Sequence, residues 1–148
     1  MLALKNLKLE NTNAKVDYLV VFDGVCNFCN FWVKWLLKRD KERLFKFTAL
    51  QSESGKKLQL KLLSDFEKLP DSIIYVEHGK VYFKSRAVFM IGRKLNFPFN
   101  LISKALLNIG LYRFYDVFYD LIANRRYFLF GKKSACMVPS QKELSRFI

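Results

Sequence analysis

Two cysteines three residues apart, Cys26 and Cys29, stand in the run VVFDGVCNFCNFWVKWLL, where an apolar stretch gives way to an amphipathic one. Three chemistries suit such a pair. It can cycle between dithiol and disulfide, supply half of a metal site, or pack as two small hydrophobes. Redox exchange needs one thiol that reaches the thiolate form readily and a second within bonding distance. A structural metal site needs a second set of closely spaced ligands. Beyond the pair, this chain offers only His78, in the turn EHGK, and Cys136, far downstream and unpaired. His78 reads as turn decoration and Cys136 as a small buried residue, so no metal and no cofactor is expected.

The elements around the pair alternate. DYLVVF (17–22) is β-branched and aromatic and reads as a buried strand. Residues 26–39 carry Phe28, Phe31, Trp32, Trp35 and Leu36 at the three-and-four spacing of a helix. On that spacing the aromatic side chains are expected in the core, except Phe28, which lies between the cysteines and is expected to face outward toward a substrate. LFKFTAL (44–50) reads as a second strand and SESGKKLQLKLL as a polar helix. After Pro70, SIIYV and KVYFK flank EHGK, a hairpin signal with Gly79 in the turn. From Ser85 onward the pattern is helical: SRAVFMIGRKL, then PFNLISKALLNIG, then the long LYRFYDVFYDLIANRRYFLF. Pro98 suits a first helical turn and Gly110 a stop, and Ser140-x-x-Glu143 suggests a capping box for a short terminal helix. The expected organisation is a lead-in over 1–16, one α/β domain over 17–139 and a terminal helix over 140–148.

At 148 residues such a chain can bury about 70% of its extended surface without disulfides. Three unevenly placed cysteines are no secreted disulfide framework. The start, MLALKNLKLENTNAKV, has no continuous apolar core and no small-residue cleavage site, so a cytoplasmic protein is expected. Lys and Arg number 26 against 13 Asp and Glu, a net charge of +13, which attracts anions. The basic residues are dispersed, and there is no RNP-type aromatic motif, zinc-finger spacing or basic zipper, so no specific nucleic acid is expected. The apolar stretch 87–123 is interrupted by Arg93, Lys94, Lys104, Arg113, Asp116 and Asp120, and no window approaches the ~18–20 uncharged residues of a membrane span. Peripheral contact with a membrane through the aromatic, basic helices stays open.

A strand running directly into a helix whose first turn carries C-x-x-C is the thioredoxin-like arrangement. Free N–H groups and the positive end of the helix dipole stabilise a thiolate there. Three residues make about one turn, so both sulfurs share a face. On this reasoning Cys26 stands at the rim and attacks, and Cys29, a turn deeper, resolves the mixed disulfide.

The run Asp23-Gly24-Val25-Cys26-Asn27-Phe28-Cys29 resembles the D-G-x-C-x-x-C signature of the DCC family of predicted thiol-disulfide oxidoreductases. Ser85-x-Ala87 is similar to that family's S-x-A after the hairpin. Tyr119, Ala123, Arg126 and Tyr127 are similar to its Y-x-x-x-A-x-x-R-Y segment, followed here by Phe130-Gly131-Lys132 and Cys136-Met137-Val138-Pro139. The resemblance spans about residues 17–139 and implies a thioredoxin-like mixed sheet with flanking helices and a helical C-terminal extension. It also implies a disulfide oxidoreductase acting on a protein or small-thiol substrate, with an unidentified redox recycling partner.

Departures from better-known thioredoxins narrow the substrate. No Trp precedes Cys26, Asn27-Phe28 replaces Gly-Pro, and Pro70 falls one position early for the proline that pairs with substrate backbone. A dedicated partner or small thiol is expected rather than general protein reduction. Asp23 reads both as a cap and as a carboxylate that takes the Cys29 proton at resolution. Arg126 reads first as helix packing near a C-terminus, with the alternative that it reaches the site and steadies a thiolate or an anionic substrate. Two other functions compete: a non-catalytic metal-binding or interaction module on the same fold, and a basic protein associated with membrane or nucleic acid.

Overall fold

The computed structural model of the chain describes residues 16–65, 72–136 and 138–148. Pro70 and nearly all of the expected lead-in lie outside them. Strand β1 (Tyr18–Phe22) pairs in parallel with β2 (Lys46–Ala49) and antiparallel with β3 (Ile74–Glu77), which pairs antiparallel with β4 (Lys80–Phe83). The order is β2-β1-β3-β4. Parallel β1 and β2 need a crossover, and α1 (Asn27–Arg39) supplies it.

Both faces of the sheet are covered, which explains the unbroken apolar run of β1. Val20 and Phe22 point to one side, into a core with Val33, Leu36, Phe47 and Ala87. Leu19 and Val21 point to the other, against Leu58 and Leu62 of α2 (Glu53–Asp65). Between β3 and β4, His78 and Gly79 both have positive φ, 47° and 79°, as the tight primed turn requires. The His78 ring lies against Tyr18 OH and Asp17.

Helices α3 (Lys84–Gly92), α4 (Phe99–Ile109) and α5 (Tyr112–Phe130) follow, with α4 and α5 both packed on α3. The fold is thioredoxin-like: a small mixed sheet, flanking helices and an added helical C-terminal part. Polar contacts from its inner face seat α5. Asp116 accepts the N–H and O–H of Ser85 at 3.3 and 2.5 Å, Asp120 pairs with Lys84 at 2.7 Å, and Tyr119 OH accepts the N–H of Ile73 at 3.0 Å. The Ser85-x-Ala87 and Tyr119 positions therefore dock α5, with Ala87 itself fully buried.

One expectation is corrected here. The buried face of α1 is Asn30, Val33, Leu36 and Leu37, whereas Phe31 is 64% and Trp32 39% exposed. Trp35 does pack at the edge of the core and on Phe99 of α4, whereas Phe28 meets Phe130 at the end of α5; the buried Asn30 amide donates to Gly24 O at 2.9 Å. The short terminal helix is one 3-10 turn, Leu144–Arg146. Ser140 does bond Glu143 as the capping box predicts, at 2.6 Å. Beyond the turn, Phe147 bridges to Phe47 and Arg146 pairs with buried Asp40, so the chain end covers the open edge of β2.

Candidate active site

The site forms where β1 ends. Asp23, Gly24 and Val25 make the loop, and Cys26 is the N-cap of α1 with extended backbone, φ −81° and ψ 121°. Its sulfur accepts the N–H of Cys29 at 3.4 Å. Cys29 follows one turn on, half-buried, and all three cysteines are free thiols. Burial, and then the hydrogen bond and charge at Cys26, push the Cys29 thiol well above its ordinary value, so Cys29 keeps its proton while Cys26 is unreacted.

Cys26 does not stand at the rim. It has no exposed surface, because the chain crosses the start of α1 after leaving α5. Gly131, at φ 77°, turns the backbone there. Lys132 bridges to Cys26, Lys133 N–H donates to Val25 O at 2.8 Å, and the Asn27 side chain donates to Phe130 O at 2.8 Å. Cys29, expected to be the deeper thiol, instead lines a cavity of about 290 Å³ with Phe28, Trp32, Trp35, Asp23 and Arg126. The walls are almost wholly apolar beyond Asp23 and Arg126. Phe28 is partly covered by Phe130, stacked at 4.8 Å.

Asp23 is buried and held by four donors. One oxygen accepts Val25 N–H at 3.1 Å and the Gln51 amide at 2.7 Å; the other accepts Tyr127 OH and Arg126 at 3.4 Å. Burial opposes its charge, but the bonds from Tyr127, Gln51 and Val25 together with the Arg126 cation outweigh it, and the carboxyl is held below its ordinary value. Arg126 is 4% exposed. It is not a surface cation near a helix end, and its guanidinium reaches the site, where it pairs with Asp23.

Reasoning from residue types missed Gln51 and gave Tyr127 no role. Gln51 follows β2, and parallel strands bring their C-terminal ends together. That adjacency is the one signal that could have found it. Cys136 is half-buried, its sulfur filling the space a side chain on Gly24 would need: a Cβ there would lie 2.1 Å from it. Among the described residues no three His, Cys, Asp or Glu side chains gather as metal ligands.

The family profile described as DCC1-like thiol-disulfide oxidoreductase matches residues 20–132. The uncharacterized protein YuxK of Bacillus subtilis is 40% identical over 130 residues, 88% of this chain and 93% of its own. A DCC family protein of Arabidopsis thaliana, At1g52590, described as chloroplastic, is 39% identical over 121 residues, 80% of this chain and 67% of its own. No solved structure matches. The matched span runs from within β1 to the bridge over Cys26 and takes in Asp23, both cysteines of the pair, Arg126 and Tyr127. The chain belongs to the DCC1-like thiol-disulfide oxidoreductase family, and it is an enzyme of that class.

Proposed function

We propose that Cys26 opens exchange, Cys29 resolves it, and Asp23 receives the Cys29 proton, on a substrate whose apolar part sits in the cavity beside Cys29. The observation that carries the reading is the placement of Cys26: an N-cap sulfur receiving the Cys29 N–H, one turn from a protonated thiol that feels the charge of the ionised Asp23. In the reducing direction the Cys26 thiolate attacks a substrate disulfide, forms a Cys26–substrate bond and releases the first substrate sulfur as thiolate. Cys29 then loses its proton to Asp23 and attacks the Cys26 sulfur. The second substrate thiolate leaves and a Cys26–Cys29 disulfide remains, to be reduced by a dithiol recycling partner; the oxidising direction is the reverse.

Two features of the site shape this sequence. The 131–133 segment must part from Val25 and Asn27 before Cys26 can be reached. Proton transfer from Cys29 to Asp23 is uphill in the resting site, because the thiol lies above 9.0 and the carboxyl below 3.8. Forming the mixed disulfide removes negative charge from Cys26, one of the causes that raise Cys29, so the gap narrows at the step where the transfer is needed.

The test is trapping. Cys29→Ser accumulates a mixed disulfide at Cys26, and Cys26→Ser accumulates none. Asp23→Asn forms the mixed disulfide but resolves it about 10²-fold more slowly in stopped-flow decay. Trapping through Cys29 in the Cys26→Ser protein would reverse the assignment of the two thiols. Unchanged decay in Asp23→Asn would leave Asp23 a cap.

A further inference from the structure

Helix α5 uses one face for docking. Asp116, Tyr119, Asp120 and Arg126 turn inward to Ser85, Ile73, Lys84 and Asp23. The opposite face holds Phe114, Val117, Phe118 and Leu121, which are 53–67% exposed and fall at three-and-four spacing. On α4, buried Ser103 and partly buried Leu107 pack inward while Leu101, Ile102 and Ile109 are exposed. Soluble monomers seldom leave apolar helix faces of this kind uncovered.

The charges on the two helices point to what covers it. Their exposed ionisable side chains free of the docking contacts are Lys104, Arg113 and Arg125, all cations, and the exposed Lys132 and Lys133 follow at the end of α5. Both acids of α5 are occupied at the start of α3. A second copy meeting this one through the same two faces would set cations against cations, with both acids of α5 already paired. No described helix is long and apolar enough to cross a membrane. An apolar stripe bordered by cations, on helices too polar to span, matches the interface of an anionic bilayer.

We propose that the outward faces of α4 and α5 form a docking surface for an anionic lipid bilayer, lying in its interface without crossing it. The docked face adjoins the cavity beside Cys29, since Ile122 of α5 and Trp32 of α1 both line that cavity and both reach the surface.

The full-length chain is sedimented with phosphatidylcholine vesicles, with and without phosphatidylglycerol, at low and high salt. It should bind the anionic vesicles, weaken as salt rises, and bind neutral vesicles poorly. Val117→Asp with Leu121→Asp alters two exposed positions outside the site and should weaken binding by about tenfold or more while leaving exchange with a small soluble disulfide unchanged. Should that variant fail to fold by circular dichroism, Val117→Ser with Leu121→Ser replaces it. Absence of binding to anionic vesicles at low salt overturns the proposal. So does binding that salt removes but the folded variant retains, which is general basic attraction. A dimer in solution that the variant splits, with no vesicle binding, assigns the face to a second copy and also overturns it.

Discussion

Removing the Tyr127 hydroxyl is the most direct way to ask whether the basicity of Asp23 matters. Tyr127 OH donates to the Asp23 carboxylate, and burial together with that bond pushes the phenol up to about 12, so it is a neutral donor at ordinary pH. A hydrogen bond to a charged group contributes about 1.5–3 kcal/mol. Tyr127 is 37% exposed, so the lower end applies, about 1.5 kcal/mol or one pKa unit. Tyr127→Phe therefore raises the Asp23 carboxyl by about one unit and leaves it ionised at neutral pH. A stronger base should speed the resolution step about threefold for a Brønsted coefficient near 0.5. The assay is stopped-flow decay of the Cys26 mixed disulfide across pH, whose acid limb should move up by about one unit. The sign for stability follows from the depressed carboxyl. Its contribution is full above the ordinary value of 3.8 and is lost as pH falls through the lower folded value. The variant should melt below the wild type at neutral pH, and the two should converge in acid. An acid limb that stays in place, with decay unchanged or slower, refutes Asp23 as the proton acceptor.

The same geometry makes two further predictions. Asn27→Ala removes the 2.8 Å bond to Phe130 O that pins the segment over Cys26, and alkylation of Cys26 in the reduced protein should accelerate with little change in melting temperature. Gly24→Ala should destabilise by about 1–3 kcal/mol, because the new methyl meets the Cys136 sulfur. Adding Cys136→Ala should recover part of that loss in thermal unfolding, and a purely additive double variant would show the two positions to be uncoupled.

What the sequence reveals here depends on the range of the interaction. Local periods and caps place β1, the hairpin turn and the helices, and the spacing of Cys26 and Cys29 places both sulfurs on one turn of α1. The buried face of α1 is not legible in that way. Phe31 and Trp32 satisfy a helical stripe as well as Val33 and Leu37 do, and only the packing of α1 on β1 and β2 selects between them. The Arg126–Asp23 pair spans 103 residues, and the Gln51–Asp23 bond depends on β2 lying beside β1. No local pattern encodes such contacts, and within its own helix Arg126 fits packing near a C-terminus as well as it fits reaching the site.

The segment over Cys26 also bears on damage. A thiolate open to peroxide passes through sulfenic acid to sulfinic acid, and the second step is not undone by ordinary thiols. With no surface exposed, Cys26 meets small oxidants only during those intervals when residues 131–133 have lifted from Val25 and Asn27. Its lifetime under oxidative stress is then set by how often the segment opens, not by the intrinsic reactivity of the sulfur. If Cys26 is the attacking thiol, as proposed, a substrate needs the same opening, so turnover and vulnerability are tied to one motion.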